Sequence, residues 1–157
     1  MPIQRTLVII KPDALNRNLV GEIIHRFERK GLKIIGMKMM HLSEEQLNEH
    51  YAHHAEKPFF EALKNFMKKA PVIMLVLEGR DAVEVVRKLC GETDATKALP
   101  GTIRGDFALS VQCNIVHASD SEETANKEIG RFFSEDEIFS YTKIDSEILY
   151  SEEERKK

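Results

Sequence analysis

The 157-residue chain is short of cysteine, of long apolar runs and of charge of one sign. Its two thiols, Cys90 and Cys113, make no disulfide framework and are too few for a cysteine-based zinc site, so a reduced compartment is the simplest reading. The longest apolar run, Val72 to Leu77, falls far below membrane-spanning length. Leu7 to Ile10 is closed by Lys11 and Pro12 and does not read as a signal-peptide core. The expectation is therefore a cytoplasmic protein with no membrane contact. Lys and Arg number 23 against 26 Asp and Glu, a net charge of -3, which gives no global reason to expect nucleic acid as a partner. Anion binding, if any, must come from local placement of cations. The chain also lacks a Walker motif and a kinase-type Gly-rich loop. No internal repeat marks a second unit, so residues 1–157 are expected to form a single domain, with 151–157 as a solvated tail.

What is present is a regular alternation of elements. Leu7-Val8-Ile9-Ile10 reads as a buried strand that Pro12 ends. Val20, Ile23, Ile24 and Phe27 share one helical face, and Gly31 stands where a C-cap belongs. Leu32 to Met40 reads as a strand with a bulge at Gly36. Ser43-Glu44-Glu45-Gln46 is a capping box for a helix to about His53, and Pro58 is placed to open another. Val72 to Leu77 reads as a central strand, and Asp81 as the cap of a helix carrying Val83, Val86, Leu89 and Cys90. A long polar segment, "GETDATKALPGTIRGD", follows. Phe107, Leu109 and Val111 alternate as in an extended segment running to a strand end at Ile115-Val116. Ser121 or Ser119 caps the last helix, with Ala125, Ile129, Phe132 and Phe133 inward. Two βαβ halves around one sheet point to an α+β, ferredoxin-like βαββαβ sandwich: a four-stranded antiparallel sheet with helices packed on it.

Function has to be read from side chains, because this architecture hosts many activities. Glu128 borders the apolar stripe of the last helix, and a carboxylate there needs a partner. His117, just before that helix, is a plausible one. A carboxylate on one ring nitrogen fixes the tautomer and leaves the other nitrogen's lone pair free, as a base or nucleophile requires. The same pair equally suits a purely structural tie between helix and sheet. Lys11, Arg87 and Arg104 sit at element ends or in the long loop, where Thr93 and backbone N–H groups could join them around a phosphate. Taken singly, each of the three cations reads first as a solvated charge. His50, His53 and His54 have a spacing that can bind metal, but a solvated helix face is the preferred reading. Phe59, after Pro58, is placed to keep its ring partly exposed, and Tyr51 lies close by in sequence. No acidic cluster suggests a metal cage. A divalent ion is expected as Mg²⁺ carried in on a polyphosphate, with Asp120 reaching one of its waters.

The segments "NIVHASDS", "PGTIRGDF", "IIKPDA" and "EKPFF" together resemble the nucleoside diphosphate kinase family, from about Arg5 to about Tyr150. The resemblance implies ping-pong transfer of the γ-phosphate of a nucleoside triphosphate, typically ATP, to a nucleoside diphosphate through a phosphohistidine at His117. It implies that Lys11, Tyr51, Arg87, Thr93, Arg104 and Asn114 handle the phosphates and the ribose. Phe59 would stack on the base, with Leu63 and Val111 nearby, and Glu128 and Ser119 would orient the histidine. Stacking tolerates any base, so broad specificity follows. The resemblance also implies a homo-hexamer, or a tetramer. Ile144, Ile148, Leu149 and Tyr150 would serve either association or docking of the C-terminal segment. Two departures stand out. Asp94-Ala95 replaces a usual Asn-Pro, and Cys113 stands where a basic residue is common. A catalytically silent scaffold of the same fold is disfavoured by the intact set of Lys11, Arg104, Asn114, His117 and Glu128. A nucleic-acid-binding module is disfavoured by the acidic balance and the lack of a paired aromatic strand motif.

Overall fold

The computed structural model describes residues 2–156. The sheet is formed by β1 (Ile3–Ile10), β2 (Lys33–Met40), β3 (Val72–Arg80) and β4 (Val116–Ala118), in the order β2-β3-β1-β4. All three pairings are antiparallel. Helices α1 (Pro12–Asn16) and α2 (Val20–Lys30) join β1 to β2, while α3 (Glu44–His50) and α4 (Phe60–Met67) join β2 to β3. Then come α5 (Ala82–Cys90), α6 (Ile103–Phe107) and, after β4, α7 (Glu122–Phe132). This is the expected ferredoxin-like α+β fold, with α3 and α4 inserted between its second and third strands.

Helices cover both faces of the sheet. On one, Val8, Ile10, Leu75 and Leu77 pack with Ile23, Phe27 and Val86 from α2 and α5. On the other, Leu7, Ile9, Met74 and Val76 pack with Leu47, Met67 and Phe132 from α3, α4 and α7. The two central strands therefore need apolar residues at successive positions, which explains their unbroken runs. Full burial of each such Leu or Ile contributes roughly 1.5–3 kcal/mol. Gly31 ends α2 with φ 101°, and the β2–β3 register shifts between Ile34 and Gly36, as the bulge requires. Ser43 and Gln46 form the capping box of α3 reciprocally, and Ser121 caps α7 through the Thr124 N–H.

Several expectations fail, each for a local reason. Asp81 occupies the N-cap position of α5 but has φ 49°, and its side chain caps nothing. Pro58 lies in a turn, and α4 starts later, at Phe60, with Phe59 as its N-cap. α3 stops at His50, and Ala52–His54 forms a separate 3-10 turn. Pro12 does more than end β1, since it opens α1 as its first residue. The long polar segment contains α6, capped by the Thr102 hydroxyl, which accepts from the Gly105 N–H. Phe107 thus ends a helix rather than starting a strand. Leu109 and Val111 are exposed on irregular backbone, and β4 begins only at Val116. The tail forms one exposed helical turn, Glu152–Arg155, in which Glu154 meets Arg80. Among the described residues, no helix is long and apolar enough to cross a membrane.

Candidate active site

The register of the shortest strand decides where the imidazole goes. His117 lies opposite Ile9 in the β1–β4 pairing, so the two share a face. Ile9 belongs to the core under α3 and α7. His117 therefore points towards α7, while its neighbours Val116 and Ala118 enter the opposite core. Three residues of strand suffice to aim this side chain.

The His117 Nε2 lies 2.8 Å from Glu128 Oε2 on α7. Glu128 Oε1 accepts the Ser119 hydroxyl at 2.5 Å. Burial raises the Glu128 carboxyl, but the hydrogen bond and charge of His117 and the Ser119 hydroxyl outweigh it, so the group sits below its ordinary value. An ionised carboxylate is an acceptor only. His117 Nε2 must then carry the proton, which leaves the lone pair on Nδ1.

Behind Glu128 stands a residue whose placement reverses the expectation. His50 is buried rather than solvated, and its Nδ1 accepts from Arg131 Nη1 at 3.0 Å. His53 is exposed and His54 half-buried, so the three do not share a face as a metal site. Burial first, then His117, pushes His50 down to about 3 against the pull of Glu128. His50 is therefore neutral, and its 3.3 Å approach to Glu128 is a packing contact rather than an ion pair. His50, His117 and Glu128 bring three ligand atoms within 4.8 Å of one another. That nitrogen-rich set does not suit Mg²⁺, and Arg131 beside it opposes any cation. The sequence held a signal for His50: Leu47, His50 and Tyr51 follow i, i+3, i+4, and all three are buried.

Lys11 and Arg104 are also buried, contrary to the reading of each as a solvated charge. Lys11 Nζ donates to Asn114 Oδ1 at 2.7 Å, and Asn114 Nδ2 donates to the Thr93 carbonyl at 3.0 Å. Burial, then Arg104, lowers Lys11 to about 8, with Asp13 and Cys113 pulling the other way. The Arg104 guanidinium donates to the carbonyls of Asn114 (3.3 Å), Gly91 (2.7 Å) and Val116 (2.6 Å). Three of its five N–H groups are thus engaged, and two remain for a ligand. The loop beneath it is tight. At Gly105 a Cβ would lie 2.0 Å from the Leu99 carbonyl oxygen, so this position requires glycine. Asp94, where a relative would have Asn before Pro, accepts from the Thr96 N–H and hydroxyl and so caps the turn Ala95–Lys97. The hydrogen bonds replace the missing ring as the local restraint.

These residues line one cleft of about 670 Å³. Lys11, Asn114, Arg104 and His117 form its floor, and Thr93 and Arg87 reach it from the α5 side. At the mouth Phe59 is 47% exposed, with Val111 and Leu63 beside it. Tyr51 is buried next to His50, where burial and the Glu128 charge push its phenol up and keep it protonated. Every expected site residue is in or against this cleft. A neighbouring open groove of about 880 Å³ shares Arg87, Thr93 and Asp120 but contains neither Lys11 nor His117.

One backbone feature had no sequence signal. Ile115 has φ 77°, a left-handed conformation that a β-branched residue rarely adopts and that costs about 1–3 kcal/mol. The Val116 N–H donates to the Asn114 carbonyl at 2.8 Å, so Asn114-Ile115-Val116 is a γ-turn of the strained, positive-φ kind.

An imidazole held by a carboxylate, with buried cations on the floor of a cleft and an aromatic ring at its mouth, defines a phosphate-handling enzyme. The chain belongs to the nucleoside diphosphate kinase family, whose description matches residues 4–138. A nucleoside diphosphate kinase of Pyrococcus abyssi is 58% identical over 90% of this chain and 91% of its own length. One from Parabacteroides distasonis is 55% identical over 96% and 99%. Among solved structures, the halophilic enzyme of Halobacterium salinarum in complex with CDP has a TM-score of 0.93 and 44% identity, covering 96% of this chain and all of that one. A Borrelia burgdorferi enzyme, a transition-state mimic with vanadate and ADP, has a TM-score of 0.85 and 39% identity over 91% and 94%. The protein is a phosphotransferase that moves the terminal phosphate of a nucleoside triphosphate to a nucleoside diphosphate.

Proposed function

We propose that the phosphoryl group is carried on Nδ1 of His117. The observation behind this reading is the chain Ser119–Glu128–His117, which places the proton on Nε2 and the lone pair on Nδ1. In the first half-reaction Nδ1 attacks the γ-phosphorus, the bond from that phosphorus to the β–γ bridging oxygen breaks, and the diphosphate leaves. The imidazolium formed is stabilised by the Glu128 carboxylate. In the second, a terminal oxygen of another diphosphate attacks the same phosphorus and the N–P bond breaks. Lys11, Arg104 and Arg87 offset charge on the phosphoryl oxygens, and the fixed floor of the cleft supplies in-line positioning. Lys11, Asn114 and Thr93 are linked by hydrogen bonds and would engage the phosphates and ribose together. Phe59 would stack on the base without reading its edge, giving broad specificity. Tyr51 would serve the reaction through packing on His50, since its phenol is buried.

Mg²⁺ fits this cleft as a passenger on the substrate. Of its two carboxylates, Glu128 is committed to His117 and Ser119, and Asp120 is exposed. One available carboxylate suits an ion that keeps several waters and takes its other oxygens from phosphates. When bound, it would neutralise polyphosphate charge. The protein would act in the cytoplasm as a homo-oligomer, a hexamer or a tetramer. β2 is a sheet edge with Met37 and Met39 exposed, and Phe139, Ile144 and Ile148 add further exposed apolar surface.

The test is incubation with γ-labelled ATP and Mg²⁺, followed by acid and alkali. Wild type should acquire an acid-labile, alkali-stable label, and His117→Gln should acquire none and fail to phosphorylate GDP. Transfer by His117→Gln at the wild-type rate would remove His117 as the carrier.

A further inference from the structure

We propose that Asp13 is a positioning residue for phosphoryl transfer, acting by holding the strained turn from which Asn114 and His117 are presented. The proposal rests on the reading of His117 as the carrier.

Ile115 lies between two groups the chemistry needs. Asn114, on one side, is bonded to Lys11; His117 is two residues away on the other. A residue in an unfavourable conformation persists only where its surroundings over-determine it. Here the restraints can be named. The Ile115 N–H donates to Asp13 Oδ2 at 3.0 Å. The Ile115 carbonyl accepts the Lys11 backbone N–H at 2.9 Å. Arg104 grips the carbonyls on either side, those of Asn114 and Val116. The Ile115 side chain is itself fully buried.

Of these restraints, Asp13 is the only side chain that reaches the turn without lining the cleft. Its other oxygen, Oδ1, is buried with no hydrogen-bond partner among the described residues, so no second bond there accounts for the carboxylate's orientation. Asp13 stands in the first turn of α1, and Pro12 ahead of it fixes the backbone that aims it. A single rigid corner, Lys11-Pro12-Asp13, therefore holds the turn from both sides: Lys11 by its N–H and its ammonium, Asp13 by its carboxylate. If the Asp13 bond is lost, Ile115 is free to relax to negative φ. That relaxation rotates the Asn114 carbonyl away from Arg104 and shifts the start of β4, which is only three residues long. Displacing a reacting nitrogen by about 1 Å can cost roughly 100-fold in rate.

The test compares Asp13→Ala and Asp13→Asn with wild type in single-turnover phosphorylation by γ-labelled ATP. Nucleotide is saturating and the pH slightly acidic, so that Lys11 keeps its proton. Folded fraction is followed by circular dichroism and rates are normalised to it. Asp13→Ala should slow labelling of His117 by about 10- to 100-fold, chiefly in the rate at saturation rather than in the half-saturating concentration. Asp13→Asn keeps a carbonyl acceptor for the Ile115 N–H and should recover most of the rate. An Ala variant that labels at the wild-type rate overturns the proposal. So does an Asn variant as slow as Ala at equal folded fraction, because then the hydrogen bond is not what matters. If wild type carries its label on a residue other than His117, the reading of the carrier fails instead, and the two failures are distinct.

Discussion

Lys11 shows how one side chain can serve two purposes at a cost. It anchors Asn114 and presents a positive charge to the cleft, yet burial holds it at about 8 rather than near 10.5. In the free enzyme its charge is present below that pH and lost as pH rises through it. We expect kcat/KM to show an alkaline limb near pH 8, with the limb in kcat shifted higher because bound polyphosphate stabilises the ammonium. Lys11→Arg keeps its charge throughout and should lose the limb, whatever its absolute rate. A pH–rate profile of both proteins decides this, and an unchanged limb in the arginine variant would assign it to a group other than Lys11. At this scale the sequence was informative. His117 and Glu128 were legible as a pair because a carboxylate beside an apolar stripe demands a partner. His50 is harder to read, since three nearby histidines look hydrophilic until the helical period of Leu47 and Tyr51 is followed. Ile115 was illegible, because no local rule places isoleucine at positive φ. That conformation is imposed by tertiary bonds from Asp13, 102 positions away in sequence, and from Arg104.

At the scale of elements, the strands and the longer amphipathic helices could be read from periodicity, capping and turn residues. The segment from Gly91 to Ile115 could not. Its helix α6 is five residues long, too short for a period to emerge, and tertiary bonds hold it, including one from Arg17 to the Phe107 carbonyl. The alternation of Phe107, Leu109 and Val111 imitates a strand, yet Leu109 is 86% exposed. The same segment carries Arg104, so its shape matters to the site. Gly105→Ala places a methyl group against the Leu99 backbone, which cannot swing aside, as well as against the Thr102 hydroxyl. We expect this substitution to lower stability by about 2–4 kcal/mol and to weaken nucleotide binding by displacing Arg104. Thermal denaturation and nucleotide titration test the two effects. Wild-type affinity in a folded Gly105→Ala would separate the loop's geometry from the site.

For the whole molecule, the buried imidazole of His50 couples catalysis-side packing to stability. In the folded protein His50 titrates at about 3, whereas an unfolded chain would show the ordinary value near 6.5. Between those values the unfolded state binds the extra proton, so lowering the pH through that window favours unfolding. Denaturant midpoints should therefore fall as the pH drops from about 6.5 towards 3, and His50→Gln should flatten the fall. Equal slopes in the two proteins would move the acid sensitivity to other groups.

Of the four strands, the first in sequence is one of the two in the middle of the sheet. β1 has no neighbouring strand until β3 has been synthesised, and its other edge stays open until β4 emerges. Pairings between such distant segments are slow to form because chain closure must precede any reward from contact. On a ribosome, the apolar run Leu7–Ile10 has no strand partner until Ile73–Val76 has been made. Lys11 cannot meet Asn114 before the 103 positions that separate them have been made. Catalytic competence thus arrives late and all at once, with the closing of the sheet.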